Sequence, residues 1–170
     1  SEKIFDYIIT NSNKIKINSN DIKKNDIFIA LKGAKNHGNK FLEDAFDAGA
    51  KFCITDKKCN LIKNKQRLLL VDNILNSLRK ISIKKRNLYF GEVIGITGSA
   101  GKTSLKETLK FFLKKKFKVS ASIKSYNNNL GVMLSILNMD INANFAIFEI
   151  GTNNFFEIRD LTKLVKPSQI

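Results

Sequence analysis

Gly98-Ser99-Ala100-Gly101-Lys102-Thr103 follows the apolar run Val93-Ile94-Gly95-Ile96-Thr97 and leads into Ser104-Leu105-Lys106-Glu107-Thr108-Leu109, a run with helical character. A buried strand, a glycine-rich turn and a helix start, in that order, build a phosphate-binding loop. Glycine lets the backbone curl until several N–H groups point at one anion, and the helix start adds its dipole and unpaired donors. The residues expected around the phosphates of a nucleotide triphosphate are Gly98, Ser99, Ala100, Gly101, Lys102, Thr103 and Ser104. Lys102 reaches the outer phosphates, and Thr103 offers its hydroxyl to Mg²⁺. The strict spacing asks for glycine where this chain has Ile96, with Gly95 and Gly98 on either side. A glycine turn with a chance lysine is the plain alternative; the strand before and the helix after weigh against it.

Further on, Phe145-Ala146-Ile147-Phe148-Glu149-Ile150-Gly151-Thr152-Asn153-Asn154 is an apolar strand with one acid near its end. A carboxylate at the C-terminal end of a parallel strand faces the crevice where ligands bind. Beside a phosphate loop such an acid holds Mg²⁺, so Glu149 joins Thr103 as a metal candidate. A solvated strand-end glutamate is the alternative. Lys102 and Glu149 are both expected in an open crevice. Between the two motifs lies Ser125-Tyr126-Asn127-Asn128-Asn129-Leu130-Gly131-Val132, a polar loop entering a helix, in which Asn or Ser could serve as the cap.

Residues 91–170 read strand 92–97, loop, helix 102–114, strand 117–119, polar loop, helix 130–138, strand 145–150 and helix 157–165. That alternation implies a parallel sheet. Leu164-Val165-Lys166-Pro167-Ser168-Gln169-Ile170 reads as a helix end and the start of another strand, so the chain is expected to stop inside a domain. Upstream, the pattern gives a helix at 4–9, strands at 14–18, 26–31, 52–55 and 68–71, a helix at 41–48 stopped by Gly49, and a helix from Ile74 to Ile81. The fold class is α/β, a small N-terminal unit followed by the first part of a sheet with a phosphate loop. The basic stretch Lys84-Lys85-Arg86-Asn87 suggests a boundary near 86–90, giving domains 1–86 and 87–170.

The chain has 170 residues and a net charge of +15. The charge is spread, with 19 Lys+Arg against 9 Asp+Glu in residues 1–90 and 11 against 6 in residues 91–170. Lysine on solvated faces accounts for it better than a nucleic-acid surface, because no zinc-finger spacing or RNA-binding strand motif accompanies it. No apolar run approaches the length of a membrane span. Cys53 and Cys59 have no pairing framework and no histidines at metal spacing, which suits reduced thiols in the cytoplasm.

The loop Thr97–Glu107, the asparagine-rich segment 125–132 and Phe148–Asn153 together resemble the central ATPase domain of the Mur ligases. The Lys106-Glu107 pair and the double asparagine resemble the branch that adds D-alanyl-D-alanine. Residues 18–33, with Asp26-Ile27-Phe28-Ile29-Ala30-Leu31-Lys32-Gly33, resemble the family's uridine-nucleotide domain. Asn20 and Asn25 stand where the family pattern has Arg and Gly, and of His37-Gly38-Asn39-Lys40-Phe41 only Gly38 and Phe41 match. The resemblance implies ATP and Mg²⁺ as cofactors, and UDP-N-acetylmuramoyl-tripeptide and D-alanyl-D-alanine as substrates. The expected reaction joins them through an acyl phosphate. Lys102 and Glu149 would be catalytic, Ser19, Lys32 and Gly33 would meet the uridine end, and Asn127 and Asn128 would lie near substrate. His37 is expected as a polar loop residue. The resemblance further implies a monomeric full-length enzyme with no nucleic-acid or membrane partner. It also implies a longer central domain, carrying a carbamylated lysine, and a closing third domain; without them, the chain is expected to have no ligase activity alone. A sister Mur ligase adding the third amino acid, a generic phosphate-loop protein and a basic nucleic-acid binder are the alternatives.

Overall fold

A computed structural model describes residues 2–33, 36–59, 62–123, 126–151 and 157–170. The chain divides into two compact units, Ser1–Ile8 with Lys14–Ser77, and Ile9–Asn13 with Leu78–Ile170.

In the first unit, β1 (Ile15–Lys16), β2 (Ile27–Ile29), β3 (Phe52–Thr55) and β4 (Leu68–Leu70) form a parallel sheet in that order. Short β-branched and apolar runs separated by polar turns suit buried parallel strands. Helix α1 (Glu2–Thr10) turns Ile4 and Ile8 inward, one helical turn apart. Helix α2 (Leu42–Asp47) buries Leu42, Ala45 and Phe46. These join Ile22, Phe28, Ala30, Ala50, Cys53 and Ile62 in one core. Burial pushes the Cys53 thiol up to about 12, so it acts as a small apolar side chain. Asn25, where the resembling family has Gly, adopts φ +68°. Asparagine tolerates that left-handed conformation, so the turn survives the exchange. It is held by the Tyr7 hydroxyl on the Asn25 carbonyl (2.8 Å) and by the Asn25 N–H on the Gly49 carbonyl (2.9 Å).

The second unit holds β5 (Glu92–Ile96), α4 (Lys102–Leu113), β6 (Val119–Ala121), α5 (Asn129–Asn138), β7 (Phe145–Glu149) and α6 (Glu157–Val165). Its strands are parallel in the order β5-β7-β6. The expected strand start near the C-terminus is present as a parallel bridge between Gln169 and Ile94. Strand β6 begins at Val119, two residues later than the alternation suggested. Phe117 is occupied in an edge-to-face contact with Phe145, with centroids 5.1 Å apart, and the Lys118 N–H donates to Asn144 Oδ1.

The basic stretch 84–87 is not a linker. Helix α3 (Ile74–Asn87) runs through it, and the two units part earlier, between Ser77 and Leu78. Lys85 is fully buried, and its Nζ donates to the carbonyls of Leu137 (2.7 Å) and Asn11 (3.0 Å). Arg86 reaches the carbonyls of Val165 and Lys166 at the end of α6. Cations placed on helix C-terminal carbonyls satisfy groups that have no partner within the helix. A run of charge that looks like a solvated boundary thus serves as internal mortar.

Burial pushes the Lys85 ammonium down to about 8, against the pull of Asp140. In the unfolded chain the group titrates near its ordinary value of about 10.4. Between those values the unfolded chain holds a proton that the folded unit has released, so stability rises with pH. From about pH 7.5 to about pH 10 the chain is expected to gain about 2 kcal/mol over a Lys85→Met variant. Denaturant unfolding of both proteins at the two pH values checks this. A constant difference would show that Lys85 keeps its proton.

Candidate functional site

Strands β5 and β7 are neighbours, with Ile96 opposite Glu149 in register. The glycine loop leaves β5 at that level, which brings the acid of β7 beside its start. Gly98 (φ +141°) and Gly101 (φ +75°) hold conformations closed to side-chain-bearing residues without strain. Gly101 caps α4 with no side-chain hydrogen bond, which leaves the helix start open to an anion. Lys102 Nζ bends back onto the Gly98 carbonyl (2.6 Å). Ser99, Ala100, Thr103 and Ser104 are exposed along it.

Glu149 differs from the expectation of an open crevice, since it is only 1% exposed. Thr103 Oγ1 donates to Glu149 Oε2 (2.9 Å), and Asn127 Nδ2 donates to Oε1 (3.0 Å). The Glu149 N–H donates to Ser122 Oγ (3.1 Å). The carboxylate is therefore held at both oxygens and at its own backbone. Gly151 makes the Asn127 contact possible, since a Cβ there would stand 2.7 Å from Asn127 Cγ.

The two asparagines separate in role. Asn127 belongs to the Glu149 cluster. Asn128 caps α5, its Oδ1 accepting from the Gly131 N–H (2.8 Å). Ser125, Thr152, Asn153 and Asn154 lie outside the described residues.

Lys106 went unassigned in the sequence. Its side chain is fully buried, with Nζ 3.6 Å from Glu149 Oε2 and 3.5 Å from Glu107 Oε1. A signal was available: Lys106 lies one helical turn after Thr103, on the same face of α4.

The donors suit Mg²⁺. Thr103 and Glu149 present hard oxygens 2.9 Å apart. Among the described residues no group of three or more His, Cys, Asp or Glu could hold a metal. Mg²⁺ uses few protein oxygens and fills its remaining positions with water and phosphate.

In the first unit, Ser19, Lys32 and Gly33 line one cavity of about 510 Å³ with Asn18, Asn20 and Phe41. Ser19 opens a short 3-10 turn, in which Asn18 Oδ1 accepts from the Asn20 N–H (3.1 Å). His37 is a structural loop residue. Its Nδ1 accepts from the Asn39 N–H (3.1 Å) and its Nε2 lies 3.0 Å from Asp56 Oδ1. No helix among the described residues is long and apolar enough to cross a membrane.

The family description "Mur ligase family, catalytic domain" matches residues 12–100, and "Mur ligase middle domain" matches residues 96–169. The chain belongs to the Mur ligase family. A Rickettsia prowazekii relative, a UDP-N-acetylmuramoyl-tripeptide–D-alanyl-D-alanine ligase, is 40% identical over 158 residues, covering 93% of this chain and 35% of its own length. A Clostridium tetani relative, a UDP-N-acetylmuramoyl-L-alanyl-D-glutamate–2,6-diaminopimelate ligase, is 32% identical over 147 residues, covering 80% of this chain and 28% of its own. Among solved structures, a MurF ligase from Thermotoga maritima in complex with ADP superposes with a TM-score of 0.74 at 31% identity. It covers 94% of this Mur ligase chain and 36% of its own. The chain spans about a third of the length of the curated relatives it matches.

Proposed function

We propose that this chain carries the uridine-nucleotide and ATP-phosphate ends of a cytoplasmic Mur ligase that joins D-alanyl-D-alanine to UDP-N-acetylmuramoyl-tripeptide. The observation that carries the reading is the Glu149 carboxylate, buried beside the glycine loop and bonded to the hydroxyl of Thr103. Phosphorylating a carboxylate with ATP brings two anions together, so the site has to supply positive charge and fixed donors. Lys102 and the loop N–H groups supply both. Thr103 and Glu149 would hold Mg²⁺, which when bound neutralises charge on the phosphates. The cavity with Ser19, Lys32 and Gly33 would take the uridine nucleotide. The choice of D-alanyl-D-alanine rests on the names of the relatives and on the Lys106-Glu107 and Asn127-Asn128 pairs.

Amide chemical-shift mapping tests the two ends. Mg·ATP is expected to move residues 98–104 and Glu149, and UDP-N-acetylmuramoyl-tripeptide to move residues 18–20, 32 and 33. A triphosphate that leaves 98–104 unmoved overturns the proposal. For the acceptor, the gene carrying this chain is expected to restore UDP-muramoyl-pentapeptide in cells depleted of their own D-alanyl-D-alanine-adding ligase. Accumulation of the tripeptide precursor instead would count against it.

A further inference from the structure

We propose that Lys106 is a positioning residue for the metal–phosphate end of the site, acting through Glu149; this rests on the phosphate-loop reading above. A lysine side chain with no solvent exposure, in the middle of an amphipathic helix, is unusual, because long cationic side chains ordinarily keep their charge in water. Taking an ammonium out of water is unfavourable unless opposite charge and hydrogen bonds meet it there. Here two carboxylates do so, Glu107 from the solvent side and Glu149 from the interior. Glu107 is half exposed and is also held by Lys110 (3.1 Å), so it can accommodate a change in its neighbour. Glu149 has no such freedom.

The geometry gives each partner of Glu149 a separate task. Asn127 fixes Oε1. Oε2 receives the Thr103 hydroxyl and faces the Lys106 ammonium. The Thr103 hydroxyl donates to Oε2, so the placement of that oxygen sets the direction of the hydroxyl. Lys106 stands behind Oε2 and partly neutralises it, which holds the carboxylate in the one orientation that serves Thr103. Lys106 meets Glu149 Oε2, and its influence passes through Glu149 to Thr103. Lys102 and Lys106 therefore divide the work: one meets the phosphates directly, the other sets the oxygens that would hold the cation.

The test compares binding of tripolyphosphate to the whole chain with Mg²⁺ and with EDTA, by calorimetry. The wild-type chain is expected to bind the anion in EDTA and more tightly with Mg²⁺. Lys106→Met is expected to reduce that Mg²⁺-dependent gain about tenfold, while binding in EDTA changes less than about threefold. In a Glu149→Gln background the same substitution is expected to have no further effect on the gain, because its target is gone. Glu107→Gln is expected to leave both affinities unchanged. A merely structural lysine would lower both affinities or neither. If Lys106→Met melts the second unit, Lys106→Gln, which is polar but shorter and uncharged, takes its place with the same expectation. A Mg²⁺ gain that survives the substitution in a folded variant overturns the proposal. Failure of the wild-type chain to bind tripolyphosphate at all would instead overturn the phosphate-loop reading.

Discussion

Lys102→Ala is expected to weaken Mg·ATP binding about 100-fold and leave the fold intact. The side chain is half-buried, and its hydrogen bond goes to the Gly98 carbonyl of its own loop. Charge-assisted hydrogen bonds to phosphate are about twice as strong as neutral ones, and a lysine can make more than one. Removing it leaves the loop backbone able to curl round an anion, but without the cation that neutralises the outer phosphates. Calorimetry with Mg·ATP and Mg·AMP separates this from general damage. The loss is expected for ATP and should nearly vanish for AMP, which has no outer phosphates for Lys102 to reach. Equal losses for both would mean that Lys102 supports the loop rather than the ligand. Glu149 is a poorer choice for such a test. It is buried and bonded to Thr103 and Asn127, so its removal would strand donors and disturb packing along with any metal site.

The elements that carry the candidate site were legible because their signals are local. Phe52–Thr55 and Glu157–Val165 fall where the apolar pattern put them. The glycine loop and Glu149 follow from strand–turn–helix order and from an acid ending an apolar run. What escaped depends on contacts distant in sequence. Nothing beside Lys85 or Lys106 in the chain reveals that Leu137 or Glu149 awaits them. The same cause hid the helix across residues 84–87, where α5 and α6 supply carbonyls to Lys85 and Arg86. Glu149 was identified but expected in the open, because burial of an acid is tolerable only with partners whose positions a sequence does not state. Asn128 shows a local alternative prevailing, since capping needs only a backbone N–H three residues on.

Gly38→Ala is expected to destabilise the first unit by about 3 kcal/mol, at the upper end of overpacking costs, and to remove its affinity for UDP-N-acetylmuramoyl-tripeptide. Gly38 follows the segment that leaves β2, and its N–H donates to the Leu31 carbonyl (2.8 Å). A Cβ there would lie 2.9 Å from the Ala30 carbonyl carbon, from Ala30 Cα and from the Leu31 oxygen. These are backbone atoms, so no side-chain rotation relieves the contact. Ala30 cannot retreat, because it is fully buried and its N–H is bonded to the Ile54 carbonyl (2.8 Å). The turn must therefore move outward, away from the bridge between Lys32 and His37. Gly38 lines the same cavity as Ser19, Lys32 and Gly33, so that movement changes the wall on which the uridine nucleotide is proposed to rest. Hydrogen exchange at the Ala30 amide reads the stability change, and calorimetry reads the two ligands. The uridine nucleotide is expected to lose its affinity while Mg·ATP keeps its own, because the glycine loop belongs to the second unit. Retained uridine affinity, together with faster exchange at Ala30, would show that the nucleotide rests somewhere other than this cavity.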